Sequence, residues 1–397
     1  MNSRRNPWGS PPWQIRFTPA RRALPAAVDF AVIGGGFTGL AAAARLRQLA
    51  PGKSVALFEA ARIGAGASGR TGGMALSETA AGAQPGLGDV LAGFRAILKR
   101  LRVQCDLQLG GAWEIARQES VGKARRLASP IVWNDSGTLR VVNEVPGGTL
   151  DPGKLASGLA RAAQRLGAQI FEGQRLHDVS WGATPELLFP AGRGTVRKIA
   201  AAKIIFATNA LSLHAAGLRA GMHPRLTLAV LSRPVSEEIL AAIGLAARKP
   251  FYTLDFPYLW GRVRPDRSIV WGAGLVQSPD AGDLDRVDVA GAESVAIFTR
   301  LEDRVRHLHP ALAKIKFARR WGGPILFRDS WKPVFDWHPE SVARGKGGGP
   351  EDDVPRNALV LGAYAGHGVA LSSYLGTWAA EVLLGRRPLP RWSALQP

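Results

Sequence analysis

Asp29-Phe30-Ala31-Val32-Ile33-Gly34-Gly35-Gly36-Phe37-Thr38-Gly39 is the stretch on which the fold turns. Its first five residues form a short apolar run that predicts a buried strand. The next six match G-x-G-x-x-G, with Ala43 four residues on. Leu40 to Leu49 is Ala/Leu/Arg-rich and helical, stopped by Pro51-Gly52, and Ser54 to Phe58 is a second buried strand closing with Glu59. The hexapeptide alone is weak. A strand before it, a helix after it and an acidic residue ending the next strand make it a dinucleotide-binding βαβ unit. Gly34 permits the tight turn, and Gly36 lets the backbone approach a pyrophosphate seated on the helix start at Phe37 and Thr38. Gly39 and Ala43 let helix and sheet pack closely. Glu59 can accept hydrogen bonds from both ribose hydroxyls and would repel a 2′-phosphate.

Outward from this unit, Asp151 can cap a helix that starts at Pro152, buries Leu155, Leu159, Ala162, Ala163 and Leu166 on one face, and ends at Gly167. Ala168 to Phe171, Lys203 to Thr208 and Ala358 to Gly362 read as further strands, the last followed by a helix from about Gly368 to Leu384. Residues near 86–147 and 226–324 are richer in aromatics and β-type runs such as Ser268 to Gly272. The alternation predicts an α/β, two-domain (α+β) chain: a Rossmann-like domain with a central parallel sheet, and an antiparallel-sheet substrate domain. The nucleotide domain takes 28–85, 148–225 and 325–397, the substrate domain 86–147 and 226–324, and residues 1–27 form a Pro/Arg-rich extension. Residues 341–357 read as an exposed loop.

The 397 residues carry 51 Lys+Arg against 31 Asp+Glu, a net charge of +20. The excess is scattered as short pairs such as Arg21-Arg22 and Arg319-Arg320 rather than gathered on an arm, which argues against nucleic acid as a partner. The single cysteine, Cys105, excludes an internal disulfide and a cysteine-based zinc site, and fits a reducing compartment. No apolar stretch reaches the ~20 residues that span a bilayer, and the proline-broken first 27 residues do not read as a signal peptide. A cytoplasmic location is the expectation, with no transmembrane segment and no metal site.

After Glu59 and Ala60 comes Arg62-Ile63-Gly64-Ala65-Gly66-Ala67-Ser68-Gly69-Arg70-Thr71-Gly72-Gly73. A nicotinamide site does not need this second glycine-rich loop; a flavin site does, because the chain must run along the pyrophosphate and then lie against the flat ring. The run from Val32 to Gly73, the Lys203-to-Ala210 segment and the Gly366-His367-Gly368 helix start resemble the D-amino-acid-oxidase-like FAD-dependent oxidoreductases, the glycine/sarcosine oxidase superfamily. The chain is most similar to the gamma-glutamylputrescine oxidoreductase branch, with Thr71 where that branch usually has Asn. The resemblance implies FAD, and implies that Gln174 to Val179 places backbone near the adenine and that Thr208, Asn209 and Ala210 approach the diphosphate. It also implies that the helix from Gly368 and Val369 aims its positive end at the flavin pyrimidine. That end stabilises the negative charge left around N1 and O2 when hydride arrives at N5, a helix terminus being worth ~0.3–2 kcal/mol. His367 could help. Relatives that tether FAD use a His near the first loop or a Cys near Trp321; the first histidine here is His177, so dissociable FAD is predicted.

The expected activity is oxidation of a C–N bond of an amine, such as a gamma-glutamylputrescine-like one, by hydride transfer to flavin N5 and hydrolysis of the imine, with oxygen or a quinone as electron acceptor. The amine must be neutral to react, and neutralising an alkylamine at pH 7 costs about 4.6 kcal/mol. An apolar, aromatic site lowers that cost; Phe251, Tyr252, Phe256, Tyr258, Trp260, Trp271 and Trp321 are candidate walls. Relatives acting on small amino acids hold the carboxylate with an Arg after a Trp-x-Gly strand, but here Trp321-Gly322-Gly323 continues Pro324-Ile325. Sarcosine-type relatives use a Lys where this chain has Ala370, and the lysine that activates oxygen in those relatives corresponds to a position near Val270 here. Arg70, Arg262 or Arg264 could bind a carboxylate instead, and Asp255 and Glu114 could hold a distal ammonium. Arg70, Tyr258 and His367 are the candidate catalytic residues. Alternatives are a D-amino-acid dehydrogenase or oxidase, a flavin monooxygenase (although Asp-Gly, its usual flavin motif, is absent), and a non-catalytic FAD-holding subunit.

Overall fold

The computed structural model describes residues 7–118, 129–192, 194–218, 220–277, 284–341 and 356–393. The first sheet is built on β1 (Ala27–Ile33), flanked in parallel by β2 (Val55–Phe58) and β11 (Thr195–Phe206). Outside these lie β8 (Gln169–Phe171) on β2 and β18 (Ala358–Gly362) on β11, both parallel, and β17 (Val334–Trp337), antiparallel to β18. A ribbon of β9 (Asp178–Ser180) and β10 (Glu186–Gly192) joins through β11.

Along β1 the side chains alternate between two cores, as a strand buried on both faces requires. Phe30 and Val32 pack with the helices α1 (Phe37–Leu49), α2 (Val90–Leu101), α3 (Pro152–Arg165) and α6 (Gly368–Leu383). Ala31 and Ile33 face the opposite core, where Phe58 meets Phe171 and Phe189 at 5.5 and 4.9 Å. The Asp151 carboxylate accepts the Lys154 N–H at 2.8 Å, as an N-cap should. The alanine run of α1 lets α6 come so close that a methyl at Gly376 would meet the Thr38 carbonyl at 2.3 Å.

The second sheet runs β16 (Phe317–Arg328), β12 (Met222–Ser232), β15 (Ile269–Val276), β14 (Trp260–Val263), β13 (Phe251–Thr253), β4 (Ala112–Arg117), β6 (Thr138–Val145), β5 (Trp133–Asn134). It is antiparallel except where β13 pairs β4. The short helix α4 (Glu237–Ala242) adds Leu240 to the core on one face, and α5 (Ala292–Leu308) covers that face through Phe298, Leu301 and Val305. Phe251 and Trp271 lie in that core against Trp133, at 5.0 and 5.6 Å, so they are not walls of a site. A two-stranded ribbon, β3 (Met74–Leu76) with β7 (Gly147–Thr149), completes the sheets.

Strand β12 crosses the expected 225/226 boundary and β16 crosses 324/325, while α2 packs with α6 rather than with the second sheet. We therefore propose that α2 belongs with the nucleotide-side core. The expected 341–357 loop falls largely outside the described residues. No helix among the described residues is long and apolar enough to cross a membrane, and no group of side chains there could hold a metal ion.

The N-terminal segment is not a loose extension. Trp8 Nε1 donates to the Leu284 carbonyl, Trp13 Nε1 to Gly69, and the Gly322 N–H to Trp8. Farther along, the Arg16 N–H donates to Ser157 Oγ, so the segment straps the glycine-rich loop and α3 to the second sheet.

Candidate active site

Strands β1, β2, β11 and β18 all end toward one cavity of about 670 Å³, which reaches on to the second sheet. Ligands of open α/β sheets bind at such carboxyl ends. Gly34 turns there with φ +109°, and a methyl on it would strike the Ala207 carbonyl at 2.7 Å. A side chain on Gly39 would meet the Gly34 carbonyl at 2.0 Å, so this glycine serves close packing. At Gly36 the nearest atom to an added methyl is Ser68 Oγ at 2.8 Å, and that hydroxyl accepts the Phe37 N–H at 2.9 Å.

Glu59 ends β2 with its carboxylate oriented by two N–H donors, Gly35 and Ala61, at 2.8 and 2.9 Å. Burial pushes its pKa up, and those two hydrogen bonds oppose the shift. Thr208 Oγ1 is buried in the cavity wall without a hydrogen-bond partner. Beside it Asn209, at φ +50°, accepts the Ala363 N–H on Oδ1 at 3.0 Å and so ties two strand ends together. At the far end, α6 begins at the cavity wall with no side-chain cap on its first N–H groups. The His367 ring stands 6.3 Å from Tyr252, edge to face, and burial lowers its pKa.

The glycine turns, the oriented Glu59 carboxylate and the orphaned Thr208 hydroxyl form a cradle that fits a dinucleotide: carboxylate for ribose, N–H and O–H donors for diphosphate. A methyl at Gly72 would enter the Trp260 indole at 2.3 Å, and one at Gly272 at 2.0 Å, so Trp260 is clamped between the second glycine loop and the second sheet.

The family model for FAD-dependent oxidoreductases (DAO) matches residues 29–382. The chain belongs to this family. Among curated proteins it is similar to gamma-glutamylputrescine oxidoreductase of Escherichia coli (strain K12), 25% identical over 402 residues, covering 90% of this chain and 84% of that protein. Among solved structures it is similar in fold to glycine oxidase from Geobacillus kaustophilus, with TM-score 0.68 and 18% identity, covering 91% of this chain and 96% of that one. It also resembles L-amino acid deaminase from Proteus myxofaciens, with TM-score 0.67 and 15% identity, covering 95% and 94%. The α/β two-domain architecture, the membership and the FAD dependence expected from the glycine loops stand.

Most of the residues singled out in the sequence meet at this one cavity: Gly34, Gly36, Phe37, Thr38, Glu59, Ala60, Ala67, Ser68, Arg70, Thr71, Gly72, Thr208, Asn209, Tyr258, Gly366, His367, Gly368 and Val369 line it. Gly39, Arg62, Gly69, Gly73 and Val179 do not. Arg62 is exposed, Val179 points into the core under β10, and Gln174 and Leu176 reach the cavity in its place. Gly69 and Gly73 instead shape the loop, where a methyl would strike the carbonyls of Gly64 and Leu150 at 2.3 and 2.5 Å.

Arg70 is placed otherwise than expected. Its Nε donates to the Ala65 carbonyl and its Nη1 reaches the carbonyls of Trp8, Gly9 and Gly322, all at 3.0–3.1 Å, with the guanidinium over the Trp8 ring. Burial lowers its pKa to about 10. The group fastens the N-terminal strap rather than waiting for a carboxylate. Arg262 is buried over Trp13 away from the lining, Arg264 pairs with Asp266, and Asp255 is taken by Arg117. Glu78, Thr227, Ile325, Trp331 and Ser372 also line the cavity and were not singled out in the sequence.

Proposed function

We propose that this FAD-dependent oxidoreductase oxidises a C–N bond of an amine rather than of an α-amino acid. The charge of the cavity wall carries the reading. Arg70 is the one Lys or Arg among the described lining residues, and it is spent on main-chain carbonyls, whereas Glu78 and Glu114 both face the cavity. A small amino acid would bring its carboxylate into a space where the one described cation has its Nε and Nη1 donors committed to carbonyls and two carboxylates face the anion, an arrangement that disfavours it. The similarity to a gamma-glutamylputrescine oxidoreductase supports the same class.

When bound, FAD supplies a two-electron acceptor for the C–H bond beside nitrogen. Glu59 would hold its ribose, while Thr208 Oγ1 and the N–H groups of Gly36 and Thr38 would hold the diphosphate, those of Gly34, Gly35 and Phe37 being donated within the protein. The start of α6 would set partial positive charge against the pyrimidine edge of the ring. Tyr252 and Trp260, both half-buried, line the space beyond with the exposed rings of Phe256 and Tyr258, and this aromatic wall favours the neutral, reactive form of an amine there. The test is an anaerobic screen of amines and amino acids that follows loss of the long-wavelength flavin band. Bleaching by amines supports the reading, and bleaching by α-amino acids alone overturns it.

A further inference from the structure

Glu114 sits on β4 between Trp113 and Ile115, whose side chains enter the core; the alternation of a strand turns Glu114 to the other face, toward the cavity. It stands in a cross-strand row, with Tyr252 of β13 on one side and Asn143 of β6 on the other. The Tyr252 hydroxyl donates to Oε1 at 2.8 Å and Asn143 Nδ2 donates to Oε2 at 2.9 Å. Two neutral donors thus fix both carboxylate oxygens, and no described cation pairs with them. Other acids on or beside this sheet are neutralised: the part-buried Asp135 by Arg304 and Arg117, the exposed Glu144 by Lys249. In a chain of 51 basic and 31 acidic residues, an oriented and unpaired carboxylate on a cavity wall is conspicuous. Exposed Glu78 lines the same cavity and adds its charge beside Tyr252, whose ring faces His367 at the start of α6.

Resting on the amine reading above, we infer that Glu114 selects the substrate by receiving a second ammonium, so that the substrate is a diamine or polyamine protonated several bonds from the reacting nitrogen. Each fixed oxygen keeps a free lone-pair direction, enough for a charge-assisted hydrogen bond. The aromatic rings of Tyr252 and Tyr258 suit the alkyl chain and its cation. Two like charges held in one low-dielectric space repel, so anchoring the distal nitrogen as ammonium eases loss of the proton from the nitrogen at the flavin end.

The test titrates the holoenzyme anaerobically with α,ω-diamines from 1,3-diaminopropane to 1,6-diaminohexane and with the matching n-alkylamines, reading the bound-flavin spectrum. At the best-fitting length the wild type should bind the diamine roughly tenfold or more tightly than the monoamine, a preference that weakens with added salt. Glu114→Gln should abolish that ratio, and Glu114→Asp should restore part of it. Equal affinities at every length in the wild type, or a preference that survives in Glu114→Gln, overturns the inference. Should Glu114→Gln lose FAD, the chain-length and salt dependence of the wild type decides alone. Failure of the amine reading looks different: no amine of either series bleaches the flavin while an α-amino acid does.

Discussion

Thr208→Val separates the structure's own demands from those of the cofactor. The Oγ1 of Thr208 is buried with no partner, and valine has nearly the same shape. A buried, unsatisfied hydroxyl costs about 1–3 kcal/mol, so the FAD-free variant should be as stable as the wild type or more stable by about 1 kcal/mol. With FAD the sign reverses. A hydroxyl donating to an anionic phosphate contributes about 1.5–3 kcal/mol, so the dissociation constant should rise roughly 10- to 150-fold. Thermal unfolding of the FAD-free protein and titration by flavin fluorescence quenching read the two effects separately. Unchanged FAD affinity, or a loss of more than about 1 kcal/mol without FAD, would refute the reasoning, because the hydroxyl would then have a partner in the protein itself.

Arg70→Leu should cost about 3 kcal/mol in urea unfolding, since it takes a donor from the carbonyls of Trp8, Gly9 and Gly322, of which Trp8 alone keeps another described donor, the Gly322 N–H; a variant of normal stability and raised substrate KM would instead mark Arg70 as a substrate group. Gly72→Ala should destabilise by about 1–3 kcal/mol through the Trp260 clash, with Trp260 fluorescence altered, and an unchanged melting temperature would count against the clamp. His338 is buried against Trp181 and Phe206, donates from Nε2 to Ala215 and accepts the Glu340 N–H on Nδ1, which fixes the neutral tautomer. Burial lowers its pKa to about 4 from the usual 6.5, so the unfolded chain takes up the proton first and stability falls as pH drops from about 6.5 toward 4. The loss should approach about 3 kcal/mol, and His338→Gln should flatten that limb of the urea-midpoint profile; an identical profile in the variant would rule out His338 as its source.

The nucleotide half was legible because its signals are local. A strand, a glycine turn, an alanine-rich helix and a closing acid follow one another within thirty residues or so, and Asp151-Pro152 announces α3 just as directly. Strand β11 was half hidden: its exposed first residues, Thr195 to Lys198, pair with β10 and carry no apolar pattern, whereas its buried end pairs with β1. The second sheet showed its aromatics but not its faces. Phe251 and Tyr252 are neighbours in sequence, yet one enters the core and the other the cavity, and register alone decides which. The placement of Arg70 was not legible because its partners are main-chain carbonyls at positions 8, 9, 65 and 322, which no spacing rule brings together. Trp8 and Trp13 were a signal left unused: two tryptophans in a proline-rich segment point to a strap that packs rather than a tail.

The central claim is that the bend from Gly34 to Gly39 grips the diphosphate of FAD without a covalent tether. Acid precipitation of the freshly purified protein, with flavin measured in supernatant and pellet, tests it most directly when run beside Gly36→Val. The account predicts stoichiometric FAD in the wild-type supernatant and a folded, colourless Gly36→Val protein. Folded wild type that takes up no FAD at saturating supply, flavin retained in the pellet, or a fully yellow Gly36→Val variant would contradict it.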